Sequence, residues 1–261
     1  MKSSTAVEEL FRAHESGKKF DQFSSEVPPF DESEAYEYQA ELLDRLLAAE
    51  GDEFSGYKIG STTAVMQAYL GIANPCAGRL RAGRTYSRTA QMPAFDRGVL
   101  GVECEILVRL GAALPPRDTS YTSTDVASAI SSCMVAIEVV EDRYFDWRSL
   151  DAPSLIADNF FHYAVVLGPE ITDFDPNQLD SVSASMSIDG LEVGNGRGAD
   201  VLGHPLNALA WIANHASARG PGLHADEIVL LGSLVETRWV HPGAHVRVEN
   251  QQLGTVQIQF S

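Results

Sequence analysis

Three glutamates and one lysine are the residues whose types and spacing could do chemistry. Glu103 and Glu105 lie in VLGVECEILVRL, residues 99–110. Its even positions, Leu100, Val102, Cys104, Ile106, Val108 and Leu110, are all apolar, and its odd positions include Glu103, Glu105 and Arg109. Alternation with a period of two marks a strand, so both glutamates project from the face opposite the apolar one. Two residues along a strand separate their backbones by about 7 Å, and like charges that close are unfavourable without a cation between them. Glu138, in the apolar run MVAIEVVEDR (134–143), offers a third carboxylate from a second strand. All-oxygen ligation favours Mg2+ or Mn2+ over Zn2+. Taken alone, Glu-x-Glu is a weak signal and reads first as a charged, solvent-facing sheet edge. The apolar content of residues 100–110 speaks for a lined pocket instead.

Lys58 sits in GYKIG (56–60), between Tyr57 and Ile59 and bracketed by glycines. A lysine partly buried in such a strand is suited to proton transfer. The plainer alternative, which composition alone favours, is a packed stem with its ammonium in water. Ser233, in LLGSLV, has no companion His or Asp signature for a nucleophile, so its active role would be to hydrogen-bond a substrate. VGNGRG (193–198) lacks the Lys-Ser/Thr ending of a phosphate loop and reads as a mobile loop. His204 reads as a helix cap.

These residues need elements to hold them. Thr5 with Glu8 suggests a capping box for a first helix that stops at Gly17. A linker at Pro28 and Pro29 precedes a second helix, opened by Asp31 and Glu34, with the stripe Ala35, Tyr38, Leu42, Leu46 and Ala49 and a C-cap glycine at Gly51. GYKIGST predicts a strand, and Val65, Met66, Tyr69 and Leu70 a helix after it. Residues 71–97, rich in Gly, Pro and Arg, read as loops and short strands. A short helix is expected over 124–132, a hairpin at Asp189-Gly190, and a helix over 204–219 with Pro205 in its first turn. The last forty residues alternate β-rich runs with turns at Pro242-Gly243 and Gly254. Helices come first and strands dominate later, without regular βα alternation, so an α+β fold with a β-rich mixed sheet is expected.

The 261 residues carry a formal net charge of −17, which argues against nucleic acid and against an anionic membrane face. No run approaches the roughly 20 apolar residues that span a bilayer, and the N-terminus has no signal-peptide core. Three scattered cysteines, Cys76, Cys104 and Cys133, form neither a disulfide framework nor a zinc spacing, and a reducing cytoplasm suits them.

Several segments together resemble one family. GYKIGSTTAVMQAYLGI (56–72), GVECEI (101–106), AIEVVEDRYFDW (136–147), IADN (156–159), LGHPLNALAWIAN (202–214), LLGSLV (230–235) and the closing VHPGAHVRVENQQLGTVQIQF follow the order seen in 2-hydroxypenta-2,4-dienoate hydratases. The pattern is shared by 4-oxalocrotonate decarboxylases, and both belong to the fumarylacetoacetate hydrolase superfamily. The resemblance implies a β-rich roll (56–261) behind an N-terminal helical segment (1–55), forming one unit. It implies Mg2+ or Mn2+ on Glu103, Glu105 and Glu138, Lys58 as acid/base, and Ser233 near the substrate carboxylate. It further implies a homo-oligomer, alone or with a pathway enzyme. The expected activity is hydration of a 2-hydroxydienoate through an enolate. The alternatives are decarboxylation or other C–C chemistry on a related 2-oxo acid, including in a biosynthetic pathway, and a non-catalytic partner subunit. This chain departs from the family where Pro75-Cys76-Ala77-Gly78 replaces a stretch with an acidic residue, and where Gly60-Ser61 replaces glycine-leucine. Phe160, Phe161 and His162 replace small residues. Cys76 and these three side chains are therefore expected at the substrate pocket.

Overall fold

The computed structural model describes residues 4–28, 30–92 and 98–261. Pro29 of the expected linker, and the end of the loop-rich stretch 71–97, lie outside the described residues. Two helices open the chain, α1 (Thr5–Ser16) and α2 (Glu32–Glu50). The middle of the chain is β1 (Phe54–Gly60), α3 (Ala64–Leu70), β2 (Cys76–Arg81), β3 (Thr85–Ser87), β4 (Thr89–Met92) and β5 (Val99–Leu110). Then come α4 (Ser123–Ala127), β6 (Ile130–Asp142), α5 (Ala152–Ala157) and β7 (His162–Leu167). The hairpin β8 (Ser183–Ile188) and β9 (Leu191–Arg197), α6 (Pro205–Arg219), β10 (Ile228–Trp239), β11 (His245–Asn250) and β12 (Gly254–Phe260) complete it.

The strands make two mixed sheets. Seven lie in the order β2-β1-β10-β5-β6-β7-β3, and five in the order β4-β12-β11-β8-β9. Within the larger sheet, β1 runs parallel to β10 and β3 parallel to β7, and the other pairs are antiparallel. Its two edge strands, β2 and β3, are separated in sequence only by the short turn Ala82–Arg84. So short a link forces the two edges together, and the sheet must curl into a roll. A side-chain clamp closes the seam. Asn159, just before β7, accepts from the Arg79 N–H of β2 at 2.8 Å and donates to the Arg79 carbonyl at 3.0 Å. The expected α+β, β-rich roll with helices at its N-terminus is the observed fold.

Both faces of the roll are buried. The inner face packs Leu80, Leu107, Met134, Ala136, Val165, Leu167, Ile228 and Leu230 together. The outer face joins a larger core shared by the second sheet and the helices, including Val7 and Leu10 of α1 and Leu42 and Leu46 of α2. The alternation read in residues 99–110 therefore separates two interiors rather than core from solvent.

Local corrections have local causes. The cap of α1 is Ser4, whose hydroxyl accepts from the Val7 N–H, so Thr5 is already helical. Asp31 and Glu34 do form the capping box of α2, but its buried face runs through Ala35, Tyr36, Gln39, Leu42, Leu43, Leu46 and Leu47, not Tyr38 and Ala49. The helix expected over 124–132 stops at Ala127, because β6 begins at Ile130 to pair with β5. VGNGRG is not a loop: residues through Arg197 are β9, paired with β8 across a turn in which Asp189 and Gly190 both have positive φ. His204 is the cap of α6, its ring accepting from the Leu206 N–H.

Candidate active site

The register of the roll's inner face sets the site. Glu103 of β5 lies directly opposite Glu138 of β6, and Glu105 is one pleat further on, opposite Ala136. Leu107 and Met134 continue the same two rows and are apolar, so the row changes from hydrocarbon to carboxylate along one face. The three carboxylates each offer an oxygen within 4.8 Å of the others. Lys58 of β1 reaches the same place: its Nζ is 3.5 Å from Glu138 Oε1, with the two side chains 3% and 1% exposed. The plainer reading of Lys58, an ammonium in water, does not hold.

One ammonium among three buried carboxylates cannot keep all of them ionised. Burial pushes Glu103 up to about 7, and the charge of Glu138 adds to it. Burial, followed by the charges of Glu138 and Glu103, holds Glu105 well above the ordinary carboxylate range. Burial acts on Glu138 in the same direction, but the Lys58 ammonium and the His162 ring outweigh it and hold Glu138 low. Glu138 is thus the ionised member of the group.

Donors surround the cluster. The Thr237 hydroxyl donates to Glu103 Oε1. The Gly232 N–H donates to Glu105 Oε2 at 3.0 Å. His162 Nδ1–H donates to Glu138 Oε1 at 2.8 Å. Gly232 has φ +123, and a Cβ there would lie 2.5 Å from the Thr62 hydroxyl oxygen, so only glycine presents its amide in this way. Glu105 Oε1 is buried with no hydrogen-bond partner. An orphaned buried oxygen in an all-oxygen set fits a hard divalent cation, which would be held by Glu103, Glu105 and Glu138.

Phe160 reaches the cluster by an unusual backbone. Asn159, Phe160 and Phe161 have φ of 60°, 47° and 65°, three successive left-handed residues without a glycine. Such a conformation costs on the order of 1–3 kcal/mol per residue and persists only where the surroundings fix it. Here they do. Asn159 is clamped to Arg79. The preceding Asp158 accepts from Arg143 at 2.6 and 2.7 Å, from Tyr144 at 2.6 Å and from His14 of α1 at 2.9 Å. The kink puts the Phe160 ring over Lys58, 4.9 Å from centroid to Nζ, and against Gly60, where a Cβ would lie 2.6 Å from the ring.

The other expected site residues divide. His162 is at the cluster. Phe161 turns away and packs edge-on against Tyr144 and Trp147. Cys76 pairs with Gly60 across β2 and β1, and burial pushes its thiol up to about 12, so it remains neutral and cannot act as an acidic residue would. Ser233 lies opposite Glu105, but its hydroxyl donates to the Val235 carbonyl at 2.6 Å. It must leave that bond before it can donate to a substrate. Thr237 and the Gly232 amide were not foreseen, because β10 slips register three times between Leu230 and Arg238 and no alternation survives there. A cavity of about 420 Å3 lies beside the roll between α1, α2 and β7. His162 lines it, and the three glutamates do not.

Fold and cluster together define a β roll with a carboxylate triad inside it. The chain belongs to the fumarylacetoacetate (FAA) hydrolase family, whose C-terminal profile matches residues 80–261. It is 32% identical over 258 residues to a 2-keto-4-pentenoate hydratase of Paraburkholderia xenovorans, covering 98% of this chain and 93% of that one. It is 28% identical over 240 residues to a 4-oxalocrotonate decarboxylase of Pseudomonas putida, covering 91% and 88%. Among solved structures, the 4-oxalocrotonate decarboxylase from Pseudomonas putida G7, complexed with magnesium and adipate, superposes with a TM-score of 0.88 at 26% identity, over 98% of this chain and 96% of that one. Hydratases and decarboxylases of this kind are both lyases. Among the described residues, no helix is long and apolar enough to cross a membrane.

Proposed function

We propose that this chain is a metal-dependent hydratase that adds water to a 2-hydroxydienoate, by way of an unsaturated 2-oxo acid. The observation that supports it best is the buried Lys58 ammonium beside a carboxylate cluster with an orphaned oxygen. Glu103, Glu105 and Glu138 would hold Mg2+ or Mn2+. The bound ion supplies electrophilic stabilisation of negative charge developing on a 2-oxo oxygen. The chain's own groups do the rest. Lys58 Nζ carries the proton between the substrate's oxygen and its far carbon, which converts the dienol to the unsaturated oxo acid to which water adds. Glu138 keeps Lys58 in place by charge. The Phe160 ring covers Lys58 and keeps bulk water from it. Ser233, once released from Val235, is placed to bind the substrate carboxylate. Cys76, opposite Gly60, and His162, bonded to Glu138, shape the surroundings of these groups, while Phe161 acts only from behind, packed against Tyr144 and Trp147.

Loss of dienoate absorbance, followed with and without Mn2+, tests this reading. Glu105→Ala is expected to abolish Mn2+ binding and turnover, and wild-type rates in that variant would sink it. Decarboxylation of a related 2-oxo acid is the second reading, favoured by the similarity to 4-oxalocrotonate decarboxylases along nearly the whole chain. Carbon dioxide release from a dicarboxylate, without dienoate hydration, would establish it instead. A homo-oligomer in a reducing cytoplasm belongs to the same proposal. The three free, buried thiols support the compartment, and the mass of the purified particle checks the assembly, including any bound pathway enzyme. Residues 1–55 and 56–261 are proposed to fold as one unit, because α1 and α2 share the larger core with the strands.

A further inference from the structure

Each glutamate of the cluster has one oxygen bound by a protein donor. In Glu103 it is Oε1, held by Thr237. In Glu105 it is Oε2, held by the Gly232 amide, while Oε1 has no partner. In Glu138 it is Oε1, which takes both the His162 Nδ1–H at 2.8 Å and the Lys58 ammonium at 3.5 Å. Glu138 is therefore the most firmly oriented of the three. Turning its carboxylate to bring both oxygens to the centre of the cluster would break two buried contacts. His162 is itself fixed: its side chain is 1% exposed, at the start of β7, behind the clamped left-handed residues 159–161.

We propose that His162 is a positioning residue that restricts Glu138 to offering a single oxygen. In this way it sets which divalent cation the site prefers. Small cations such as Mg2+ and Mn2+ take one oxygen from each carboxylate and keep several waters, whereas Ca2+ takes more ligands and readily uses both oxygens of one carboxylate. Three single oxygens suit the former. Freeing Glu138 to turn removes that restriction and favours Ca2+. The inference rests on the reading of the three glutamates as a metal site.

The test is isothermal titration of the full chain, stripped of metal by a chelator, with MnCl2 and with CaCl2, and the bound Mn2+ read independently by electron paramagnetic resonance. Partners that orient a metal ligand are generally worth about 10–100-fold in affinity. His162→Leu is thus expected to weaken Mn2+ by about that factor and Ca2+ much less, so the preference for Mn2+ narrows. His162→Asn places an amide N–H where Nδ1–H stood and is expected to restore the preference. His162→Gln keeps a polar side chain but puts its N–H at the Nε2 position, so it should behave like the leucine variant, and it answers the question if leucine does not fold. A wild-type Mn2+-to-Ca2+ ratio in His162→Leu or His162→Gln overturns the role of His162. So does an equal loss of both ions that asparagine does not repair. A wild-type protein that binds neither ion overturns the metal-site reading itself, and this inference with it.

Discussion

Replacing Lys58 by methionine keeps a buried stem and removes one positive charge from the roll. The ammonium lies 3.5 Å from Glu138 Oε1, with both side chains almost wholly buried. At an effective dielectric of about 20, unit charges at that distance attract by about 5 kcal/mol. The ammonium's own desolvation cost is recovered in the variant, which offsets part of this. Removing one partner of a buried pair costs about 3–5 kcal/mol, which is the loss expected here. In a chain of this size each kcal/mol shifts Tm by about 2–4 °C, so metal-free Lys58→Met is expected to melt about 6–20 °C below the wild type. A divalent cation brings positive charge back to Glu138, so the gap should narrow when Mn2+ is added. Turnover should not recover with it, because the proton carrier is gone, and a loss of about 100–10,000-fold is expected. Scanning calorimetry with and without Mn2+, alongside loss of dienoate absorbance, measures both. A variant that melts with the wild type in the absence of metal refutes the electrostatic argument. A variant that turns over at the wild-type rate refutes the proton role.

Gly60→Ala places a Cβ 2.6 Å from the Phe160 ring, which must swing off Lys58 at about 1–3 kcal/mol; turnover should fall, and Phe160→Leu in the same chain should recover part of it. No recovery in the double variant would separate Phe160 from the effect. Burial raises the pKa of Asp158, but Arg143, His14 and Tyr144 outweigh it, so the group is depressed below its ordinary 3.8. The stability it contributes is then fully present above 3.8 and lost as pH falls through the lower folded value. Asp158→Asn should cost about 3–5 kcal/mol near neutrality, and urea melts should show the difference from wild type shrinking in acid; a difference that grows in acid would contradict the pairing.

Period-two alternation was enough to place Glu103 and Glu105 on one face, and their spacing was enough to suggest a cation. What alternation could not show is that the opposite face is buried too, or that Glu138 sits directly across from Glu103. That pairing is set by the antiparallel register of β5 with β6, which no residue in either strand announces. The same limit explains the donors. Thr237 and the Gly232 amide arrive through slips in β10, where side-chain direction no longer follows residue parity. Helix starts were legible to the residue where chemistry is unambiguous, as at Asp31 with Glu34, and one residue off where Ser4 and Thr5 offer equivalent hydroxyls.

Residues 159–162 show the limit most sharply. The sequence places three large side chains together, and together they read as one reshaped pocket wall. Three left-handed residues in succession send them to different places: Phe160 onto Lys58, Phe161 out to Tyr144 and Trp147, and His162 onto Glu138. The strain of that path has to be met by something rigid, and the something is Asp158 and Asn159, neither of which is bonded to a glutamate of the cluster. Asp158 is tied to His14, so the first helix of the chain helps fix the backbone that carries Phe160. Cys76 stays neutral and adds no second base, so Lys58 and the Phe160 ring that lies over it are what this site adds to a plain carboxylate triad. Hydration and decarboxylation draw on the same ligands. A change at Phe160, whose ring lies over Lys58, should therefore shift the ratio of carbon dioxide release to dienoate loss further than any change among the three glutamates, and an unchanged ratio in Phe160→Leu would refute this.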